Sequence, residues 1–420
     1  MGSNKEIQNL LLDSLRHTPP HDLAERLEKC SITGWQALVA LAVEQQVAAL
    51  LYHRLKTHNC EAALPSEIRQ LLQKSHRVNA SRNMQIYHAL GQLLAALQKQ
   101  QIPVLVLKGA HLGATVYESI ALRSMVDMDI LVQEANIMTA VEQLHALGYQ
   151  PETPWRSLDA YLTYRHHVPP FIHPNKVPVI ELHWQVTPPN RGYAIPVEQL
   201  WSHRRAAMLN GISAEGLCPE DLLIHVCVHA TYHHWFQHGV RSLCDIAELL
   251  RYYGDTLDWE TVRARAAAWQ CERGVYLALS AAQQLLGVDI PNPLVASLYS
   301  MKPTPFTRDE LQGLLFPEQR ASIVTPDSYF WSFLHKPTLA SGVRSLRERL
   351  FLSPKEMATK YAIGVNSPWL YYYYGVRFKD LLGKFALKTW RVYFGDPNMM
   401  TMVKQQERLQ QWLAGSKATP

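Results

Sequence analysis

The sequence predicts an α+β protein, a small mixed sheet with helices flanked by two helical regions. Three observations carry this. Residues 5 to about 100 set apolar side chains three and four positions apart, the spacing of helices with one buried face. Residues 103–186 switch to short apolar or alternating runs separated by helical stretches, in the order strand–helix–strand–helix–strand–strand. Beyond Pro188 helical spacing returns.

The segments WQALVALAVEQQVAALLYHRL and IRQLLQKSHRVNASRNMQIYHALGQLLAALQKQ read as long helices, the second opened by Pro65-Ser66-Glu67. Pro103 then introduces a continuous apolar run, Val104 to Leu107, closed by Gly109, which is the pattern of a fully buried strand. A short helix is expected from Ala110 to Glu118. A second strand follows, and then a helix from Ala135 to Leu147 that stops at Gly148. YLTYRHHVPPFI and VPVIELHWQV read as strands around a PNKVP turn. Further helices are expected from Pro219 to about Trp235, over LCDIAELLRYY, at 259–270, at 274–286 and at the amphipathic end 399–413. Residues 287–340 are rich in proline with weak periodicity and read as irregular.

Chemistry concentrates in one strand. Asp127 and Asp129 lie one residue apart in DMDILV, and alternate strand side chains share a face, so both carboxylates point the same way. Two like charges on a half-buried strand are costly unless a cation neutralises them. On the later strand Glu181 and His183 share one face while Ile180, Leu182 and Trp184 share the other.

LKG, a short helix ending in Tyr117, then Arg123, DMDILV and IELHW together resemble the uncharacterised nucleotidyltransferase group of the DNA polymerase beta superfamily. DLLIHVCVHATYHHW and SLCDIAELL resemble that group's helical region. The resemblance covers about 100–255 and more loosely reaches 385. It implies a minimal polymerase-beta-like core at 101–215, an N-terminal helical region at 1–100, a helical region closing the cleft at 216–290, and a C-terminal extension at 291–420.

Matched position by position, the resemblance makes Asp127 and Asp129 the paired metal-binding carboxylates and Glu181 the third carboxylate, as metal ligand or base. His183 joins them as acid/base or as the residue that positions Glu181, with packing beside the sheet the competing role. Lys108, Gly109, Arg123 and Ser124 become the nucleotide-binding candidates. The superfamily turn is usually Gly-Ser, whereas Lys108-Gly109 stands here, so Lys108 and helix N–H groups would meet the phosphates. Arg123 would offer a forked cation to phosphate, or pair with Asp127 or Asp129.

The implied reaction is transfer of a nucleoside monophosphate from an NTP to a hydroxyl or phosphate acceptor, with Mg²⁺ or Mn²⁺ and release of pyrophosphate. A phosphotransferase on the same fold and a non-catalytic nucleotide-binding regulatory protein are the alternatives. A net charge of +5 over 420 residues favours a small-molecule, peptide or protein acceptor over a polynucleotide.

Other features have ordinary readings. His225, His229 and His233 are four apart, and metal binding, a pocket wall and helix packing are all open to them. Arg241 and Asp245 share a helical face and are expected to pair with each other or with that histidine row. The run Trp369 to Tyr374 is read as a helix buried on most sides, and Arg344 to Arg349 as a solvated face. Six cysteines occur without a CxxC pair, so they suggest neither a zinc site nor a disulfide framework. The start lacks a secretory pattern, Glu6 stands where a myristoylation signal wants Ser or Thr, and no apolar run is long enough to span a bilayer. A reduced, cytoplasmic location is the expectation.

Overall fold

The computed structural model describes residues 4–153, 162, 165–189, 192–290, 306–316, 366–380 and 397–415, with positions 354, 357–358, 361 and 363–364. The chain forms two compact units. One comprises Met1–Glu152, Arg165–Leu315 and Leu409–Pro420, the other Thr153–Tyr164 and Phe316–Arg408.

In the first unit the N-terminal helices are α1 (Asn4–Leu15), α2 (Leu23–Glu28), α3 (Ile32–Glu44), α4 (Ala48–Thr57) and α5 (Ser66–Lys99). Ser31 caps α3, its Oγ accepting from the Gly34 N–H at 3.2 Å. Pro65 leads into α5 as its spacing predicted. At 34 residues α5 is about 51 Å long. Its apolar face (Ile68, Leu72, Ile86, Leu90, Leu93, Leu97) is buried, and so are the polar residues Asn79, Asn83 and Tyr87 on the same helix.

Seven strands form one mixed sheet in the order β3-β4-β5-β2-β1-β7-β6. They are β1 (Leu105–Val106), β2 (Asp127–Leu131), β3 (Gln150–Pro151), β4 (Phe171–His173), β5 (Lys176–His183), β6 (Arg205–Leu209) and β7 (Ile212–Gly216). β2 runs parallel to β5 and antiparallel to β1, and β1 runs parallel to β7. Helix α6 (Lys108–Thr115) connects β1 towards β2, starting and ending before the expected Ala110–Glu118. Helix α7 (Ile137–Ala146) follows β2 and ends at Gly148, whose φ of +88° supplies the left-handed stop.

The β6–β7 hairpin corrects the expectation that only helices follow Pro188. It turns at Asn210-Gly211, both at positive φ, the pair that a two-residue hairpin turn demands. Helix α8 (Val197–His203) precedes it. Among the described residues of YLTYRHHVPPFI, only Phe171 and Ile172 are strand, as part of β4, with a bridge from His167 to His183, and most of 154–164 lies outside the described residues.

Helices α9 (Pro219–Val228), α10 (Val240–Tyr253), α11 (Trp259–Ala268) and α12 (Glu272–Leu286) pack on one another beyond the hairpin. The expected helix to Trp235 stops early: α9 ends at Val228 and a π-helical turn takes over at His229–His233. A further helix, α13 (Arg308–Leu315), lies inside the segment read as irregular. The amphipathic end forms α14 (Pro397–Ala414).

In the second unit Met357, Ala358 and Leu370 form a small core with Tyr361, Ile363, Tyr373 and Tyr374 packed on it. The aromatic run is helical but not buried on most sides. Trp369 is 63% and Tyr371 80% exposed, while among the described residues Leu370, Tyr373 and Tyr374 face the small apolar core. The basic stretch 344–349 lies outside the described residues.

Candidate functional site

β2 and β5 lie side by side in a register that sets Asp129 opposite Glu181 and Leu131 opposite His183. The alternation read from the sequence therefore puts Asp127, Asp129, Glu181 and His183 on one face of the sheet. Met128, Ile130, Ile180 and Leu182 are buried on the other.

Asp129, only 4% exposed, is the hub. Its Oδ1 accepts from Lys108 Nζ at 2.9 Å and lies 3.0 Å from His183 Nε2. The same His183 nitrogen lies 3.4 Å from Glu181 Oε2. Ligand atoms of Asp129, Glu181 and His183 all fall within 4.8 Å of one another. Lys108 reaches this point from the end of β1 with a left-handed φ of +40°, a strained backbone for a residue with a side chain.

The charges divide unevenly. Burial would raise the Asp129 carboxyl, but Lys108 and His183 hold it well below the usual carboxylate range. Burial would lower Lys108, and Asp129, Glu181 and Asp127 more than reverse this. His183 behaves alike: burial opposes its charge, yet its contacts to Asp129 and Glu181 raise it. Burial would raise Glu181 too, and the His183 hydrogen bond brings it below its ordinary value. Asp127 is the exception. Burial, then Asp129 and Glu181, push it up against the pull of Lys108 and Arg241. Carboxylates that repel one another in this way, in an oxygen-rich group with one imidazole, fit a divalent cation of the Mg²⁺ or Mn²⁺ class.

Arg123 is engaged elsewhere than the sequence suggested. Its Nε and Nη2 donate to Asp245 Oδ1 and Oδ2, both at 2.8 Å, and Tyr117 donates to the same Oδ1 at 2.8 Å. The pairing of Arg123 with Asp127 or Asp129 is thus replaced, since Asp245 on α10 offers a buried two-oxygen partner that matches the guanidinium fork. Gly109 belongs to this contact. A Cβ there would stand 2.4 Å from Arg123 Nη1. From α5, Asn83 donates to the Arg123 carbonyl at 2.7 Å, and Asn79 and Asn83 also cap Ala121 and Ile120. The loop before β2 is therefore pinned from both sides.

Asp245 being taken, Arg241 does not pair with it by hydrogen bond. Arg241 Nη1 donates to Gln46 Oε1 at 2.8 Å and to the Ser124 carbonyl at 3.2 Å, and Nη2 lies 3.3 Å from His238 Nδ1. Ser124 thus enters the site's surroundings through its backbone oxygen.

The profile of the uncharacterised nucleotidyltransferase family matches residues 31–287, well over half of the chain. The chain belongs to that family. Among solved structures it is similar to the antibiotic-resistance factor ANT(2'')-Ia, at 15% identity and a TM-score of 0.33, over 48% of this chain and 96% of that one. No curated protein matches it. No described helix is long and apolar enough to cross a membrane.

In this nucleotidyltransferase-family chain the sequence reading missed the histidines that gather beside the carboxylates. His166 and His167 lie against His183, with ring centroids 5.4 and 5.1 Å away. The row His225, His229, His233 stays in successive ring contact, with centroids 6.4 and 5.6 Å apart, and the π-helical turn adds His234 at 4.3 Å and His238 at 5.6 Å from His229. The HH dipeptide at 233–234 with a third His four residues later was the available signal.

Proposed function

We propose that the chain transfers a nucleoside monophosphate from an NTP to a hydroxyl or phosphate acceptor, releasing pyrophosphate. The observation that carries this is the parallel register setting Asp129 opposite Glu181, which gathers Asp127, Asp129, Glu181 and His183 on one face beside Lys108.

Asp127, Asp129 and Glu181 would hold the divalent cation, which when bound neutralises triphosphate charge and favours departure of pyrophosphate. Lys108 brings a permanent positive charge to the same point, suited to a phosphate oxygen, in place of the serine usual in this superfamily. Glu181 is partly exposed and held in its charged form, so it can accept the acceptor's proton as the acceptor oxygen attacks the α-phosphorus. His183 is 2% exposed with its Nε2 committed to Asp129 and Glu181, which makes it a positioning residue. Arg123 holds the loop that leads into β2. Arg241 acts on Asp127 through its charge.

The test is incubation with each NTP, labelled in the α- or the γ-phosphate, with Mg²⁺ or Mn²⁺ and a cell extract, beside an Asp127→Asn, Asp129→Asn double variant. Transfer of α-label by the wild type alone supports the reading. Transfer of γ-label alone replaces it with phosphotransfer. If neither label moves and no NTP binds in the presence of metal, the reading fails.

A further inference from the structure

Beside the carboxylates lies a second group of metal-type ligands built from a different chemistry. Helix α9 breaks at His229, and the π-helical turn His229–His233 is followed by Trp235 and Phe236 at φ of +45° and +61°. Consecutive left-handed residues that carry large side chains are strained. Their effect is to fold the chain back, so that His234 and His238 stand against His229. The ring centroids of His234 and His238 are 3.8 Å apart. One ring nitrogen from each of the three residues lies within 4.8 Å of the others. His229 Nδ1 is buried and has no hydrogen-bond partner. Below it His225, 2% exposed, stacks on the His229 ring at 7° and 6.4 Å between centroids.

We infer that His229, His234 and His238 bind a divalent transition metal of the zinc class, at a site distinct from the carboxylates. An all-imidazole set suits Zn²⁺, Co²⁺ or Ni²⁺ and is poor for Mg²⁺, which wants oxygen. The rings are in the state a metal needs. Burial above all, with the neighbouring imidazoles and Lys108, holds His229 and His234 well below the ordinary histidine range, so both are unprotonated lone-pair donors. Three protein ligands leave a coordination position open, the arrangement of zinc sites that bind water or a substrate oxygen.

Arg241 makes the site conditional. It donates to His238 Nδ1 at 3.3 Å. If His238 ligates through Nδ1, the guanidinium must leave; if it ligates through Nε2, the proton moves to Nδ1 and the Arg241 donor is again displaced. Arg241 remains tied to Gln46 and Ser124 through Nη1, and its freed edge stays within electrostatic reach of Asp127. Metal at the histidines and charge at the carboxylates are therefore linked through one residue.

The experiment uses the full chain in an Asp129→Asn background, stripped with chelator and titrated with Co²⁺ alone. The expected result is visible d–d absorption that saturates at one equivalent and is abolished by Zn²⁺ but not by excess Mg²⁺. His234→Gln and His238→Gln should each weaken Co²⁺ binding roughly tenfold or more, whereas Arg241→Gln should strengthen it. Circular dichroism of the metal-free variants checks that the fold is kept, and the wild-type histidine set needs no variant to be read. Absence of the band in the folded wild-type histidine set overturns the site. So does a band that the folded histidine variants leave unchanged. Neither outcome bears on NTP transfer, so this inference and the proposed function fail separately.

Discussion

Arg123 and Asp245 form a two-pronged buried ion pair, Nε to Oδ1 and Nη2 to Oδ2 at 2.8 Å each, with both side chains 7% exposed. The pair joins the loop before the DxD strand to α10. Asp245→Asn leaves a buried guanidinium without its counter-charge. The expected cost is about 3–5 kcal/mol, read from urea unfolding. A loss below about 1 kcal/mol, the scale of an exposed pair, would show that the pair does not hold the loop.

Gly109 makes room for that guanidinium. A Cβ at 109 would stand 2.4 Å from Nη1 and 3.2 Å from Cζ, and the fork is held by Asp245, so it cannot swing away freely. Gly109→Ala is expected to cost about 1–3 kcal/mol. The same substitution made with Arg123→Met should cost much less, because the clash is gone. Equal costs in both backgrounds would place the role of Gly109 elsewhere.

Asp129 takes the Lys108 and His183 contacts on one oxygen. Asp129→Asn removes the charge both of them face while keeping the shape. Turnover of α-labelled NTP is expected to fall by about a hundredfold or more, with far-UV dichroism unchanged. Removing divalent ions with a chelator should stop transfer, and added Mg²⁺ should restore it. Transfer that persists in metal-free buffer would remove the cation from the mechanism.

His111 on α6 is 3% exposed, and burial draws its pKa down to about 4 from 6.5, against a partial opposing pull from its Val106 backbone contact. Between these values the unfolded chain takes up a proton that the folded chain refuses. Stability is therefore full above the unfolded pKa of 6.5 and is lost as pH falls towards 4. The loss is about 1.4 kcal/mol per pH unit at its steepest. His111→Gln cannot titrate, so its urea midpoint should change less between pH 7 and pH 5 than the wild type's. An identical change in both proteins would exclude His111 from the acid response.

Much of the carboxylate face was legible because strand alternation is a local property. DMDILV and VIELHW needed only the two-residue period to align Asp127 with Asp129 and Glu181 with His183. The Lys108-Gly109 turn stood out at the end of an apolar run, but the contact of Lys108 with Asp129 was not foreseen. The Asn210-Gly211 hairpin was equally legible and was overlooked, since β6 and β7 carry few long apolar side chains between them. The partner of Arg123 was missed for a different reason. It lies 122 residues away on α10, and no periodicity reports that distance.

From sequence alone came the mixed sheet set among helices, the shared face of Asp127 and Asp129, and the shared face of Glu181 and His183. All follow from side-chain direction along single strands and from local turn chemistry. Only the tertiary structure decided which cation meets which carboxylate, and that His229, His234 and His238 converge. Those outcomes depend on how β2 pairs with β5, how α10 packs, and where a helix breaks at His229. Hydrogen-bond geometry and burial between distant segments fix them, and a one-dimensional pattern carries no record of either.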